Sequence, residues 1–274
     1  MRCRAAIALA AVLGSGLAVA TAHASPPRPR ALPQVAAFVP AHPGQVLPRR
    51  DAEVRSGNWS GYVVRPGIPV TGVQSTFVVP TAGAVPPGFS SSWAGIGGFG
   101  TRDLIQAGTE SDTVDGYYAW FEMLPASQGI LINCSGDTKC TVRPGDRMGV
   151  DIHLVGRNLW SVTVVDSRHW TWRATVSYAS SLSSAEWIFE APTLAAEGVP
   201  VLTTVPNVGA AYFGPVSNFT VAGHRHTIAA GHPVKVDMVA ESLAGQEATT
   251  SGLAVNHQSF RVCTWAGRCA APAS

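Results

Sequence analysis

Residues 170–178, WTWRATVSY, alternate in polarity with a period of two. Every second residue, starting at Trp170, is apolar or aromatic: Trp170, Trp172, Ala174, Val176 and Tyr178. The residues between them are polar: Thr171, Arg173, Thr175 and Ser177. Because successive residues of a β-strand face opposite sides of the sheet, this pattern predicts a strand with one buried face. A half-buried strand of this kind is typical of an antiparallel sheet.

The same alternation recurs elsewhere in the chain. LWSVTVVDS at 159–167 and PVKVDMV at 233–239 repeat it, and further β-rich runs are separated by Gly, Pro and Asn turn signals. Long amphipathic helical periods do not occur. We therefore predict an all-β fold, a sandwich of two large antiparallel sheets of the concanavalin-like jelly-roll type.

The N-terminus has the features of a secretory signal peptide. Arg2 and Arg4 precede an apolar run, and AHA at 22–24 supplies the small residues that a signal peptidase requires. The apolar run is too short for a membrane span. We therefore expect residues 1–24 to be removed, and the mature protein to be secreted, extracellular and without a membrane partner.

Residues 25–50 are rich in Pro and Arg and contain no acidic residue. Since proline fixes φ and removes a backbone donor, this stretch is predicted to be an extended linker or pro-segment outside the core. Residues 51–274 then form the β-sandwich domain.

This division changes the charge of the protein. Six of the 19 basic residues precede position 51 and all 17 acidic residues follow it, so the remaining 13 basic residues leave a net charge of −4. Nucleic-acid binding requires a basic surface. The sequence therefore predicts no nucleic-acid partner.

The cysteines after the signal peptide form two pairs by spacing. Cys134 and Cys140, and Cys263 and Cys269, are each separated by five residues, which favours two short-loop disulfides in an oxidising compartment. A zinc site is the alternative, but its ligand spacing is usually shorter. His224, His226 and His232 could likewise ligate a metal, although a solvated hairpin is the favoured interpretation because no acidic residue is nearby.

Polar residues on otherwise apolar strands are the candidates for chemistry. Period two places Glu122 on one face with Trp120, and Gln106 on one face with Leu104. Glu186 and Glu190 share a face if residues 184–190 are extended. However, Ser183 and Glu186 also fit a helix capping box, so a strand and a single helical turn both remain open.

A carboxylate and an amide on one sheet face could hydrolyse an acyl group with water. The carboxylate would act as general base, and the amide N–H would stabilise the oxyanion. The alternative is that the glutamates lie on the surface and that Gln106 satisfies backbone groups in a turn. Nucleophile-elbow, zinc-helix and phosphate-loop motifs are missing from the sequence.

Six segments, in order, resemble the glutamic peptidase (eqolisin) family over residues 57 to about 220. The segments and the family patterns that they resemble are NWSGYVV at Asn58 (NWAG), STFVVP at Ser75 (GTFTVP), SSWAGIGG at Ser91 (SAWVGIDG), LIQAGTE at Leu104 (ILQTGV), YYAWFEMLP at Tyr117 (YDAWYEWYP) and AEWIFEAP at Ala185 (AEWIVEDF). Each motif alone is weak, but six in order are specific.

The resemblance implies an endopeptidase that binds an extended polypeptide and needs no metal or organic cofactor. Its catalytic pair would be Gln106 and Glu190. Trp93, Trp120, Glu122 and Glu186 would line the substrate groove. We further expect a monomer that works at acidic pH and that is covered before activation by its cationic pro-segment, with Arg49 and Arg50 near the processing point.

The sequence also departs from the family pattern. The aspartate of GIDG is Gly97 here, and Met123 and Leu124 replace the Trp and Tyr of YEWYP, so we expect the pH optimum and subsite preference to differ from the family pattern. Two other functions stay open. One is a glycoside hydrolase that uses Glu122 and Glu190 as its carboxylate pair. The other is a peptide-binding module without turnover.

Overall fold

The structure, a computed structural model, describes residues 38–42, 44–113, 115–125, 130–134, 140–196, 199–240 and 246–273. The predicted signal peptide and the first part of the predicted pro-segment lie outside these ranges. The strands are β1 Ala52–Ser56, β2 Trp59–Val64, β3 Val70–Val78, β4 Phe89–Gly97, β5 Leu104–Asp112, β6 Tyr117–Leu124, β7 Ile130–Leu131, β8 Arg147–Gly156, β9 Leu159–Asp166, β10 Trp170–Ser177, β11 Ala185–Glu190, β12 Thr193–Ala196, β13 Val199–Leu202, β14 Ala210–Val221, β15 His224–Thr227, β16 Val234–Ala240, β17 Gln246–Thr250 and β18 Phe260–Thr264.

The predicted sandwich is confirmed, and its two layers are halves of one curled sheet. Sixteen strands are hydrogen-bonded in the order β10-β9-β8-β3-β14-β18-β17-β16-β2-β11-β4-β5-β6-β7, with β1 beside β16 and β15 beside β14. All of these pairs are antiparallel except β1 with β16. Strands β12 and β13 form a separate hairpin. Continuous hydrogen bonding through β18, β17 and β16 joins the two layers of the predicted sandwich.

The core between the layers confirms the alternation in the sequence. In β10, Trp170 is buried and each second residue after it is partly covered, whereas Thr171, Arg173, Thr175 and Ser177 are exposed. Trp160, Val162 and Val164 of β9 lie in the same core. Its centre also contains Trp187, Phe189 and Phe213, all fully buried. Burial of large aromatic side chains on this scale is the main stabilising contribution to the fold.

Residues 185–190 form a strand, so the helical alternative is wrong. Each residue of β11 pairs with β2 on one side and β4 on the other. These two ladders satisfy the backbone groups of the whole segment, and a helical turn at this place would leave those of both neighbours unpaired. Pro192 lies just beyond the end of the strand.

Both expected disulfides are present, with Cα–Cα distances of 5.2 Å for Cys134–Cys140 and 5.5 Å for Cys263–Cys269. They close local loops at the ends of strands. Two of the three histidines of GHRHTIAAGH, His224 and His226, belong to the β14–β15 hairpin. Within the described part of the chain, no helix has the length and apolar character needed to cross a membrane.

Residues 38–50 contradict one expectation, because part of this stretch belongs to the packed structure. Phe38 is buried, and Leu47 packs against the same apolar cluster. Its backbone is also tied to the domain, since Gly57 N–H donates to Val39 O at 2.8 Å. The expectation that this stretch lies outside the packed structure is therefore wrong for Phe38 and Leu47, because an extended chain can still bury its few large apolar side chains.

Candidate active site

A second apolar cluster lies on the face of β2, β11, β4, β5 and β6 that points away from the core; we call this face the site face. Its members on these strands include Trp59, Trp93, Leu104, Trp120 and Ile188. The residues that alternate with them, among them Ile105, Phe121 and Trp187, lie in the core. Gln106, Glu122, Glu186 and Glu190 therefore all belong to the site face, as the period of two predicted.

Strand register brings three of these polar residues into one row. Glu186 on β11 pairs with Gly95 on β4, and Gly95 pairs with Gln106 on β5. Gln106 in turn pairs with Glu122 on β6. We call these four residues the Gln106 row. Since neighbouring strands lie about 4.8 Å apart, Glu186 and Gln106 are separated by about 9.6 Å of backbone, with Gly95 between them.

Gly95 keeps the space between Glu186 and Gln106 open. A Cβ atom at this position would lie 3.0 Å from the Gln106 Cβ and 3.0 Å from the Ile105 carbonyl oxygen. Any side chain at this position would therefore crowd Gln106. With glycine there, no side chain of β4 stands between Glu186 and Gln106 in the row.

Gln106 is oriented by Glu122. The Gln106 Nε2 donates to Glu122 Oε2 at 2.9 Å, and both side chains are fully buried. Burial raises the pKa of Glu122 to about 8, and the hydrogen bond from Gln106 opposes this only in part. A glutamine amide has two N–H donors, so the second remains for another acceptor.

Glu186 is a buried carboxyl group in an unfavourable environment for charge. It is fully buried, and neither oxygen is in normal hydrogen-bond geometry with a described residue. Burial raises its pKa well above the ordinary value, and the charge of Asp103 adds to this effect. The Ser184 hydroxyl, Arg65 and the Gly97 N–H act in the opposite direction. A carboxyl poised in this way is typical of a catalytic acid or base.

Glu190 lies in a different row. It pairs with Ser91, and Ser91 pairs with Glu110, so it lies four positions along β11 from Glu186. This separation is about 13 Å along the strand, in addition to the two strand spacings from β11 across β4 to β5. The register therefore does not support Glu190 as the partner of Gln106, although sequence resemblance assigned it that role.

The carboxylate of Glu190 is already held by two donors. Asn58 Nδ2 donates to Oε1 at 3.1 Å, and Trp93 Nε1 donates to Oε2 at 2.8 Å. Two hydrogen bonds of this kind stabilise the charged form and fix its orientation. Glu190 therefore anchors the Trp93 ring, which lies between the two rows.

Trp120 is one of the buried aromatic residues of the second apolar cluster. It lies on the site face between Tyr118 and Glu122 and is 3% exposed. Its indole N–H has no hydrogen-bond partner within the described ranges. A buried, unpaired donor is costly, so it is available to a carbonyl group that enters the site.

The site is covered by residues 38–42 and 44–50, which we call the cover segment. The Phe38 ring packs edge-on against Trp59 at 5.7 Å and against Phe99 at 4.8 Å. Val39 N–H donates to Asn58 Oδ1 at 2.9 Å, the same residue whose amide holds Glu190. At the other end, Arg65 donates to the Pro48 carbonyl at 3.3 Å.

Sequence reasoning missed three polar residues of the site. Asn58 enters the family resemblance only as part of NWSG, Glu110 only as part of LIQAGTE, and Asp103 belongs to neither motif. Glu110 is 1% exposed, accepts a hydrogen bond from Ser91, and has its pKa raised to about 8 by burial. The signal that could have found it is the period of two, which puts Glu110 on the face of Gln106.

The raised pKa values predict that the covered protein loses stability as pH rises. An unfolded glutamate titrates near 4.5, whereas Glu110 and Glu122 titrate near 8 in the folded chain. Between these values the unfolded state releases protons that the folded state keeps, so raising the pH favours unfolding. The loss is on the order of 4 kcal/mol for a fully buried group.

We therefore expect the melting temperature of the full chain to fall between pH 5 and pH 8. Glu110→Gln should reduce this slope because it removes one titrating group. Glu53→Gln, at a carboxylate with 70% of its side chain exposed, is the control and should leave the slope unchanged. A melting temperature that rises with pH over this interval would contradict the prediction.

Comparison with known proteins identifies the family and the fold. The sequence model of the Peptidase A4 family matches residues 57–261. Scytalido-glutamic peptidase, solved with a peptide-based transition state analog, superimposes with a TM-score of 0.60 at 16% identity, covering 76% of this chain and 98% of that one. SCP-B, an eqolisin solved with the tripeptide Ala-Ile-His, gives 0.57 at 16% identity with the same coverage. Comparison with curated protein sequences gives no significant match.

The two solved structures share the fold of this chain, a curled antiparallel sandwich. At this sequence identity the similarity establishes the fold alone. The family match covers three quarters of the sequence and includes every residue of the Gln106 row. The chain therefore belongs to the peptidase A4 family, the glutamic peptidases, and is a hydrolase of peptide bonds.

Proposed function

We propose that the protein is a secreted endopeptidase in which Glu186 and Gln106 act on the scissile peptide bond. The observation that carries this proposal is the Gln106 row, in which a buried glutamate on β11 and a buried glutamine on β5 share one face with only Gly95 of β4 between them. This assignment replaces Glu190 by Glu186 as general base, because Glu186 is the glutamate of β11 that shares a row with Gln106.

In the proposed reaction, a water molecule lies between the two side chains. The Glu186 carboxylate takes a proton from the water as its oxygen attacks the carbonyl carbon. The electron pair of the carbonyl moves to its oxygen, where the free N–H of Gln106 donates a hydrogen bond to the oxyanion. Protonated Glu186 then gives the proton to the leaving nitrogen, the C–N bond breaks, and the carboxylate is restored.

Glu122 supports this reaction by orienting Gln106. Its Oε2 accepts one amide N–H, so the amide group cannot rotate freely and the second N–H is directed elsewhere. Since the donor is already placed before substrate binds, no reorganisation is needed in the transition state. Glu122 is thus a positioning residue in this mechanism and not the base.

An unfolded polypeptide fits the shape of the site face. An extended peptide adds about 3.3 Å per residue, so about four residues would run from the Gln106 row to the row of Glu190 and Glu110. Trp93 and Trp120 lie between the rows and offer apolar surface, and the unpaired indole N–H of Trp120 can bind a peptide carbonyl. A folded substrate could not present an extended backbone along this path.

The geometry disfavours the glycoside hydrolase alternative. Glu122 and Glu190 lie on β6 and β11, three strand spacings apart, and also in different rows. The backbone separation is about 14 Å across the strands and about 13 Å along them. A glycosidase needs its two carboxyl groups about 5 to 10 Å apart on either side of one bond.

We propose that the cover segment keeps the enzyme inactive until it is removed near Arg49 and Arg50. Phe38 and Leu47 pack onto the apolar residues that a substrate would contact. Burial favours the protonated form of Glu186, and a protonated Glu186 cannot act as a base. Departure of the segment exposes the site to water, which lowers the pKa of Glu186 and provides an ionised base.

Cleavage after Arg50 is therefore expected to raise peptidase activity by about tenfold or more, because an attached segment blocks the site at a high effective concentration. The full chain is folded first and then nicked with an arginine-specific protease, and hydrolysis of an unfolded, reduced protein is measured at mildly acidic pH. Arg50 is exposed, and mass spectrometry verifies the nick.

The double variant Arg49→Gln, Arg50→Gln is the control and should stay uncleaved and inactive. Phe38→Ala gives an independent test, since loss of its contacts with Trp59 and Phe99 should raise the activity of the uncleaved chain. Equal activity of the nicked, uncleaved and Phe38→Ala proteins would contradict the proposed role of the cover segment.

A further inference from the structure

Asp103 fills a space next to Gly97, the position at which this sequence departs from the family pattern. Gly97 has a φ of +95°, and a Cβ atom there would lie 3.0 Å from Asp103 Oδ2 and 2.5 Å from the Asp103 carbonyl oxygen. Gly97 pairs with Leu104, so Asp103 comes directly before β5 in the turn that follows β4. A carboxyl group therefore stands beside position 97, although residue 97 has no side chain.

The Asp103 carboxylate is held rigidly by the loop between β10 and β11. Ser181 N–H donates to its Oδ2 at 2.6 Å, and the Ser180 hydroxyl donates to the same oxygen at 3.3 Å. Burial alone would raise the pKa of Asp103, but the hydrogen bonds from Ser181 and Thr101 outweigh it and hold the pKa below its usual value. Asp103 is therefore a fixed negative charge over the pH range in which a glutamate titrates.

The same loop leads directly into the proposed base. Gly97 N–H donates to Ser184 O at 3.2 Å, and Ser184 lies two residues before Glu186 on the same face of the chain. Asp103 thus stands at the end of the site face beside the residues that flank Glu186. Its negative charge acts on Glu186 from the β4–β5 turn.

Few other charged or polar groups act on Glu186 among the residues that the structure describes. Arg65, which follows β2, is the opposing cation, and the Gly97 N–H and the Ser184 hydroxyl are polar neighbours from β4 and from the start of β11. On β5 and β6 the facing groups are Gln106 and Glu122, whose carboxyl is protonated below about pH 8. The charge balance at Glu186 therefore depends chiefly on Asp103 against Arg65.

We propose that Asp103 is a positioning residue of the peptidase site. Its fixed negative charge makes Glu186 a stronger base, and this charge comes from the β4–β5 turn and not from position 97. The inference rests on the proposed function of Glu186. A more basic carboxylate takes a proton from water more readily, at the cost of being protonated at a higher pH.

The test compares two variants that remove charges of opposite sign near Glu186, both in the chain nicked after Arg50. Asp103→Asn keeps an oxygen acceptor for Ser181 but removes the charge, so the acidic limb of the pH profile of kcat/KM should move to lower pH by on the order of one unit. Arg65→Gln should move it to higher pH. Ser180→Ala removes a neutral neighbour of Asp103 and should not move it. We expect kcat of Asp103→Asn to fall with little change in KM.

A direct readout separates this inference from the proposed function. The carboxyl carbon of Glu186 is followed by ¹³C NMR against pH in glutamate-labelled protein, and its signal is assigned by its loss in Glu186→Gln. Its titration should move to lower pH in Asp103→Asn by the same amount as the acidic limb. Superimposable titrations of wild type and Asp103→Asn would overturn the inference, as would shifts of Asp103→Asn and Arg65→Gln in the same direction. Full activity of Glu186→Gln would instead refute the proposed function, whatever the titration shows.

Discussion

Glu186→Gln is expected to lower kcat/KM for peptide hydrolysis by about 10²- to 10⁴-fold in the nicked protein, because general base catalysis contributes about this much. Glutamine has the size of glutamate but cannot take a proton from water. Since Glu186 is fully buried and its pKa is already raised by burial, a neutral replacement should not destabilise the fold. The measurement is initial-rate hydrolysis of a quenched peptide, with circular dichroism to verify folding.

Glu190→Gln is the matched control. Glu190 is also a fully buried glutamate on the same face of β11, and it lies four positions after Glu186. Its carboxylate holds Asn58 and Trp93, so we expect a loss of stability and at most about a tenfold loss of activity. The opposite result, an inactive Glu190→Gln and an active Glu186→Gln, would restore the assignment made from sequence resemblance and refute the one made from register.

Gln106→Ala is expected to lower kcat by about 10²- to 10³-fold, the loss typical of removing one oxyanion donor. KM should change little, because the bond to the oxyanion is made only in the transition state. Gln106→Met tests the same donor without creating a cavity, since it keeps the volume of the side chain. Both variants should therefore show the same fall in kcat.

Glu122→Gln is the control for this second prediction. It leaves an acceptor for the Gln106 amide, so the donor stays oriented and most of the activity should remain. If Gln106→Met retained wild-type kcat, the amide would not stabilise the oxyanion. The protein would be a peptide-binding module without turnover if neither the nicked wild type nor any variant cleaved a peptide that it binds.

Much of the fold could be predicted from local sequence. In WTWRATVSY, and equally in YYAWFEML and AEWIFE, the period of two assigned each side chain to the correct face. This works because the pleat of a strand is a local property that does not depend on the partner strand. The alternation of residues is therefore sufficient to group Gln106, Glu122, Glu186 and Glu190 as one polar set.

The cover segment shows where local reasoning fails. Its proline content correctly indicated a segment without regular strands or helices, but proline content does not report what Phe38 and Leu47 contact. Phe38 contacts Trp59 and Phe99, and Leu47 contacts the apolar cluster of the site face. These contacts join residues that are distant in the chain. Burial of this kind depends on which surfaces the fold brings together.

The sequence by itself determined an all-β protein, the two disulfides, the polar residues of the site face and a resemblance to one peptidase family. It left Glu186 and Glu190 equivalent, because residues four apart on a strand point the same way, and resemblance then favoured Glu190. Only the tertiary structure separated them. Strand β4 lies between β11 and β5, and its register sets Gly95 between Glu186 and Gln106, whereas Glu190 faces Ser91. Register between strands is a non-local property, decided by hydrogen bonds and packing between segments far apart in the chain, and no local period encodes it.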